Sequence, residues 1–121
     1  MKPEELKIGN YVYDEGKVEK ISANAFWAYI EYNCDFDELG LNPIPLTEQW
    51  LIDFGFESTE ISSNIISWYN HSMAINTYSK SKVDYYWLRG YQNNVSNHIK
   101  YVHQLQNLYY ALTGKELTKK I

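Results

Sequence analysis

The segment from Lys100 to Gly114 restricts the fold of this chain more than any other. Tyr101, Leu105, Leu108 and Leu112 recur at i, i+4, i+7 and i+11, the spacing of one stripe along an α-helix. Val102 and Tyr109 widen that stripe into a face broad enough to bury. Gly114 follows the last periodic residue, where a helix C-terminus turns into the left-handed region. A helix of this kind needs an apolar partner layer, and a sheet is what the rest of the chain offers.

Residues 6–13 read as a first strand, Asp14-Glu15-Gly16 as a hairpin turn, and residues 17–21 as a half-buried strand of alternating polar and apolar side chains. Residues 26–32 read as a third strand. Together they predict a meander like half of a small SH3-like barrel. Residues 33–42 form an acidic loop. Asp35, Asp37 and Glu38 lack the glycine and the later glutamate of a calcium loop. Pro43-Ile44-Pro45 is stiff and extended. It leads to Thr47 as an N-cap and to a short helix over 48–54, ended by Gly55. Further strands are expected over 64–69, 72–78, 83–89 and 95–100. The expected fold is α+β, a bent antiparallel sheet carrying a short middle helix near 47–54 and a C-terminal helix over 101–113, in one domain spanning 1–121.

Charge narrows the partners. The chain has 11 basic and 15 acidic residues and a net charge of −4, whereas duplex nucleic-acid binding rests on a basic face. Arg89 is the only arginine. Duplex nucleic acid is therefore not an expected partner, but a single small anion needs only a few local donors. No apolar run approaches the ~20 residues of a membrane span, and the N-terminal segment lacks the apolar core of a signal peptide. With the lone Cys34 unable to form an intramolecular disulfide, the expected location is the cytoplasm.

Three segments carry a resemblance. They are Lys2-Pro3-Glu4-Glu5-Leu6-Lys7-Ile8-Gly9-Asn10-Tyr11-Val12-Tyr13, then Ile44-Pro45-Leu46-Thr47-Glu48-Gln49-Trp50-Leu51-Ile52-Asp53-Phe54-Gly55-Phe56, and the stretch from Tyr101 to Leu117. They resemble small uncharacterised proteins of Bacteroides-group bacteria, their prophages and their phages. Those proteins similarly open with E-L-R/K-I-G-N-Y/L-V, share P-L-T-E-x-W-L-x-x-F-G-F and end in Y-V-H-Q-L-Q-N-L-Y-F-A-L-T-G-x-E-L. Tyr110 stands where Phe is usual. The centre, residues 57–97, matches no fixed pattern. The resemblance assigns no residue a role. It implies a phage or mobile-element setting inside a host cell, and a shared scaffold with a variable centre that suits recognition.

Candidate chemistry is sparse. No nucleophile elbow, phosphate-binding loop or dinucleotide fingerprint occurs, and no Cys–His pairing is evident. The expectation is a protein that is not an enzyme, without cofactor or bound metal. His71 sits at a turn. His98 and His103 are five apart, not the i, i+4 spacing of a helical zinc pair. Gln104, Gln106 and Asn107 suit either structural hydrogen bonds or ligand reading. Aromatics reach 17% of the chain, more than one small core needs. On a strand Tyr85, Trp87 and Arg89 would share a face, able to stack a planar base and clamp a phosphate. Trp68, Tyr91, His98 and His103 complete the expected ligand-binding set. A core strand with Arg89 snorkelling is the plainer reading of the same residues.

Two functions follow as expectations. The first is non-catalytic sequestration of a nucleotide-type immune signalling molecule, an anti-defence role. The second is an adaptor or inhibitor that grips a host protein through aromatic surface. A homo-oligomer is compatible with either.

Overall fold

The computed structural model describes residues 5–79, 86–89 and 98–119. It has the expected α+β character, with antiparallel strands in two sheets and three helices among these residues. The chain divides into two compact units, Met1–Pro45 with Tyr101–Leu108, and Leu46–Lys100 with Tyr109–Ile121.

The first unit contains β1 (Tyr11–Asp14), β2 (Lys17–Lys20), α1 (Ala23–Tyr32), β3 (Leu41–Asn42) and the first part of α3 (Val102–Thr113). Glu15 and Gly16 both take positive φ, 50° and 84°. This is the two-residue hairpin whose twist matches right-handed strands, and it joins β1 to β2 at the pair Asp14–Lys17. The expected third strand is instead the helix α1. Its positions Ala25, Phe26 and Tyr29, spaced i, i+1, i+4, cover a core of Leu6, Val12, Ile21, Phe36 and Leu41. Phe26 meets Phe36 edge to face at 5.1 Å. Helical spacing against that core overrides the strand preference of the aromatics. Asn33, in the left-handed region at φ 53°, ends α1. The place beside β1 goes to β3, giving the order β2-β1-β3.

The amides of α3 anchor this unit. Gln104 Oε1 accepts from the Tyr101 backbone N–H at 3.0 Å, closing the helix N-terminus as the third residue of a capping box does. Gln106 Oε1 accepts from the Tyr11 N–H at 2.8 Å, and its Nε2 donates to the Gly9 carbonyl at 3.3 Å. The buried stripe is Val102, Leu105, Gln106 and Tyr109. It lies about one position round from the stripe expected from Tyr101, Leu105, Leu108 and Leu112. Leu112 is exposed, and Tyr101 and Leu108 are half-buried. Turning the amides inward satisfies the backbone of the first strand, and that decides the rotation.

The second unit contains α2 (Glu48–Asp53) and a five-stranded meander of β4 (Glu57–Ser62), β5 (Ile65–Tyr69), β6 (Ala74–Tyr78), β7 (Tyr86–Leu88) and β8 (His98–Ile99), each paired antiparallel with the next. Thr47 is the N-cap residue of α2, without a side-chain cap bond. At the other end the Gly55 N–H donates to the Ile52 carbonyl and the Phe56 N–H to the Leu51 carbonyl, both at 2.9 Å. That pair of bonds is a Schellman closure, and Gly55 supplies its φ of 88°. Past α3 the Gly114 N–H donates to the Tyr110 carbonyl at 2.8 Å. The tail then buries Leu117 and lays the Lys119 ammonium 4.1 Å from the Trp50 ring centroid.

Candidate functional site

The register of the second sheet decides what the aromatic centre can do. Residues directly opposite in an antiparallel ladder share a face. Ser67, Asn76, Trp87 and His98 lie opposite one another across β5 to β8. Trp68, Ile75 and Leu88 form the next row and point the other way. Trp68 and Trp87 therefore do not form one wall, and both are buried. Tyr69, beside Ser67's row, is on the Trp87 face. Tyr78 packs on Trp87 with ring centroids 5.1 Å apart.

Arg89 is exposed just past β7, and its backbone N–H extends the ladder to the Ala74 carbonyl at 3.0 Å. His98 is half-buried in register with Trp87. Tyr85 and Tyr91 lie outside the described residues. His103 belongs to the first unit. It is 1% exposed and stacks on Tyr101 at 5.7 Å and 7°. Burial lowers its pKa, against an opposing pull from the Glu5 carboxylate. Neither ring nitrogen meets a hydrogen-bond partner among the described residues. Among the described members of the expected set, Trp87 and His98 are the pair that stands directly opposite across the ladder. No group of three or more His, Cys, Asp or Glu side chains placed to hold a metal ion occurs among the described residues, and no described helix is long and apolar enough to cross a membrane.

Two other features stand out. The first is the outer face of α1. Trp27, Ile30 and Tyr32 are 55%, 77% and 65% exposed, while the opposite face packs on the first core. The helix is apolar on both sides, and Glu31 is its only charged residue. Trp27 and Tyr32 hold each other edge to face at 5.4 Å. The sequence held this signal in the aromatic spacing of residues 26–32, hidden by the strand reading.

The second is a cleft of about 410 Å³ in the second unit. Phe54 and Leu117 are apolar lining residues, Tyr69 and Tyr109 contribute rings, and Glu57 and Glu116 bring carboxylates. Asn70 Oδ1 shapes one edge by accepting from the Ser72 and Met73 backbone N–H groups at 2.8 and 3.0 Å. These residues come from four separate segments, so no local motif announces them.

Comparison with family models, with curated proteins and with solved structures returned no match.

Proposed function

We propose that this protein is a binding module that recognises a partner protein through the outer face of α1. The observation that carries the reading is the exposed set Trp27, Ile30 and Tyr32 on a helix whose other face is already used by the core. Isolated exposed apolar side chains are ordinary, but a contiguous patch marks an interaction surface. The three side chains expose on the order of 400 Å², on the scale of ~150–250 Å² for a whole aromatic side chain. A standard interface covers ~800 Å² per partner, so the patch fits the centre of a contact and calls for a partner that rises around it. That is helix-in-groove recognition, with Trp27 and Ile30 as anchors at i and i+3. The near absence of charge on α1 requires the groove to be apolar at its base. The Trp27–Tyr32 ring contact limits the freedom those side chains lose on binding. The resemblance to mobile-element proteins makes a host protein the natural partner.

A nucleotide-type ligand draws less support from the same geometry. Trp68 and Trp87 are buried on opposite faces and offer no common wall for a base.

The test is affinity purification from host lysate with the wild-type chain and with the double variant Trp27→Lys, Ile30→Lys, alongside light scattering of each. One protein enriched at fixed stoichiometry by the wild type alone supports the reading. Equal recovery by the variant, or a wild-type dimer that the variant abolishes with no other protein bound, overturns it. A released nucleotide-sized molecule without a protein partner would favour sequestration instead.

A further inference from the structure

The outer face of α1 carries one charge, and its position specifies part of the partner. We propose that the partner meets the C-terminal end of α1 with an arginine on the rim of its groove, the guanidinium stacked on Trp27 and paired with Glu31. The inference rests on the reading of α1 as an interaction face and adds to it the chemistry of the group that faces it.

Helical spacing brings the three side chains together. Trp27 is followed at i+3 by Ile30 and at i+4 by Glu31, the two separations that make side chains neighbours on a helix surface. All three are exposed, so no part of the fold covers them. Tyr32 holds the indole edge to face, with ring centroids 5.4 Å apart and planes at 82°. An aromatic ring fixed in this way offers a surface on which a cation is attracted, and its fixed orientation lowers the cost of binding. Ile30 beside it suits the methylene stem of a long basic side chain.

The sign of the match comes from α1 and its surroundings in sequence. Glu31 is the only charged residue of the helix and lies in its last turn, where no basic residue stands. The helix dipole places its negative end there too, so a cation is favoured at this pole. The chain supplies none nearby in sequence, because neither lysine nor arginine occurs from Ile21 to Ser79. Lys20, just before α1, lays its ammonium 5.4 Å from the Tyr11 ring centroid. No hydrogen bond or ion pair engages the Glu31 carboxylate among the described residues. Arginine fits better than lysine because a planar guanidinium stacks on an indole and pairs with a carboxylate at once, whereas an ammonium is a point charge. Tryptophan and arginine are also the residues that dominate the energy of protein contacts.

The test uses the full chain and a displayed library of α-helical hairpins randomised along the groove between their helices, counter-selected against the double variant Trp27→Lys, Ile30→Lys. Hairpins retained by the wild type should carry an arginine at one fixed rim position beside an apolar base. In titration calorimetry of one such hairpin, glutamine in place of that arginine should weaken binding about tenfold, and lysine should weaken it less. Glu31→Gln, at an exposed position, should cause the same loss with an unchanged circular dichroism spectrum, and the two changes combined should add little further. Selected hairpins without arginine enrichment, unchanged affinity in Glu31→Gln, or full additivity of the two changes overturns the arginine and leaves the reading of α1 standing. A selection that yields no hairpin able to distinguish the wild type from the double variant removes that reading, and the arginine with it.

Discussion

Asn10 and Asn107 form a reciprocal amide pair. Asn10 Nδ2 donates to Asn107 Oδ1 at 2.8 Å, and Asn107 Nδ2 donates back to Asn10 Oδ1 at 3.2 Å. The Lys7 N–H also donates to Asn10 Oδ1 at 2.8 Å, and Asn107 Nδ2 reaches the Glu5 carbonyl at 2.9 Å. Asn10 is fully buried, so a lost partner cannot be replaced by water. Asn10→Ala or Asn107→Leu should cost ~1–3 kcal/mol each. In a double-mutant cycle by urea unfolding the two losses should fall short of additivity. Full additivity would mean that the pair is not coupled.

Leu105 lies on the buried stripe of α3 and is 0% exposed, while Leu112 is 52% exposed. Leu105→Ala should cost ~2–5 kcal/mol through the cavity it leaves. Leu112→Ala should stay within ~0.5 kcal/mol. Denaturant midpoints of the two variants, measured together, check the helix rotation directly. Equal losses would contradict it.

Gly55 holds φ at 88° to close α2. A side chain in that region costs ~1–2 kcal/mol. Gly55→Ala should lower the unfolding midpoint accordingly, and Gly55→Asn should lower it less, because asparagine tolerates the left-handed region better.

His103 gives stability a pH slope of known sign. Its folded pKa is lowered by burial, so near the unfolded value of about 6.5 the unfolded chain binds more protons than the folded one. The contribution is complete above that pH and is lost as pH falls below it toward the folded value. Wild-type stability should drop between pH 7 and pH 5, and His103→Leu should remove that part of the slope. An equal drop in both proteins would show that other groups carry it.

The outer face of α1 contributes little to the core. Trp27→Lys should therefore leave stability within ~0.5 kcal/mol while abolishing partner capture. A large loss of stability on chemical unfolding would return Trp27 to the fold.

Where a signal is local, the sequence shows the structure directly. Glu15-Gly16 supplies a hairpin, Gly55 ends α2, and Gly114 ends α3, because each depends on a backbone conformation that few residues adopt. The strands β5 to β8 are legible from their β-branched and aromatic composition. Residues 26–32 are not, since aromatic and β-branched side chains satisfy strand alternation and helical spacing together, and only contact with Phe36 decides between them. The separation of Trp68 from Trp87 is equally invisible. Side-chain facing flips with every one-residue change of register, and the pairing of Trp68 with Ile75 and of Asn76 with Trp87 is fixed only in the folded sheet. The cleft is assembled from segments that meet only in the folded chain.

The bond from the Tyr11 N–H to Gln106 Oε1 spans 95 residues. During synthesis the first strand therefore emerges long before the side chain that completes it, and the amide partner of Asn10 arrives later still. A ribosome that stops before residue 106 releases a chain whose opening segment cannot reach its native bonding. Completion of the first unit thus waits until α3 has been synthesised, and termination before that point yields material for proteolysis, not a shortened working protein.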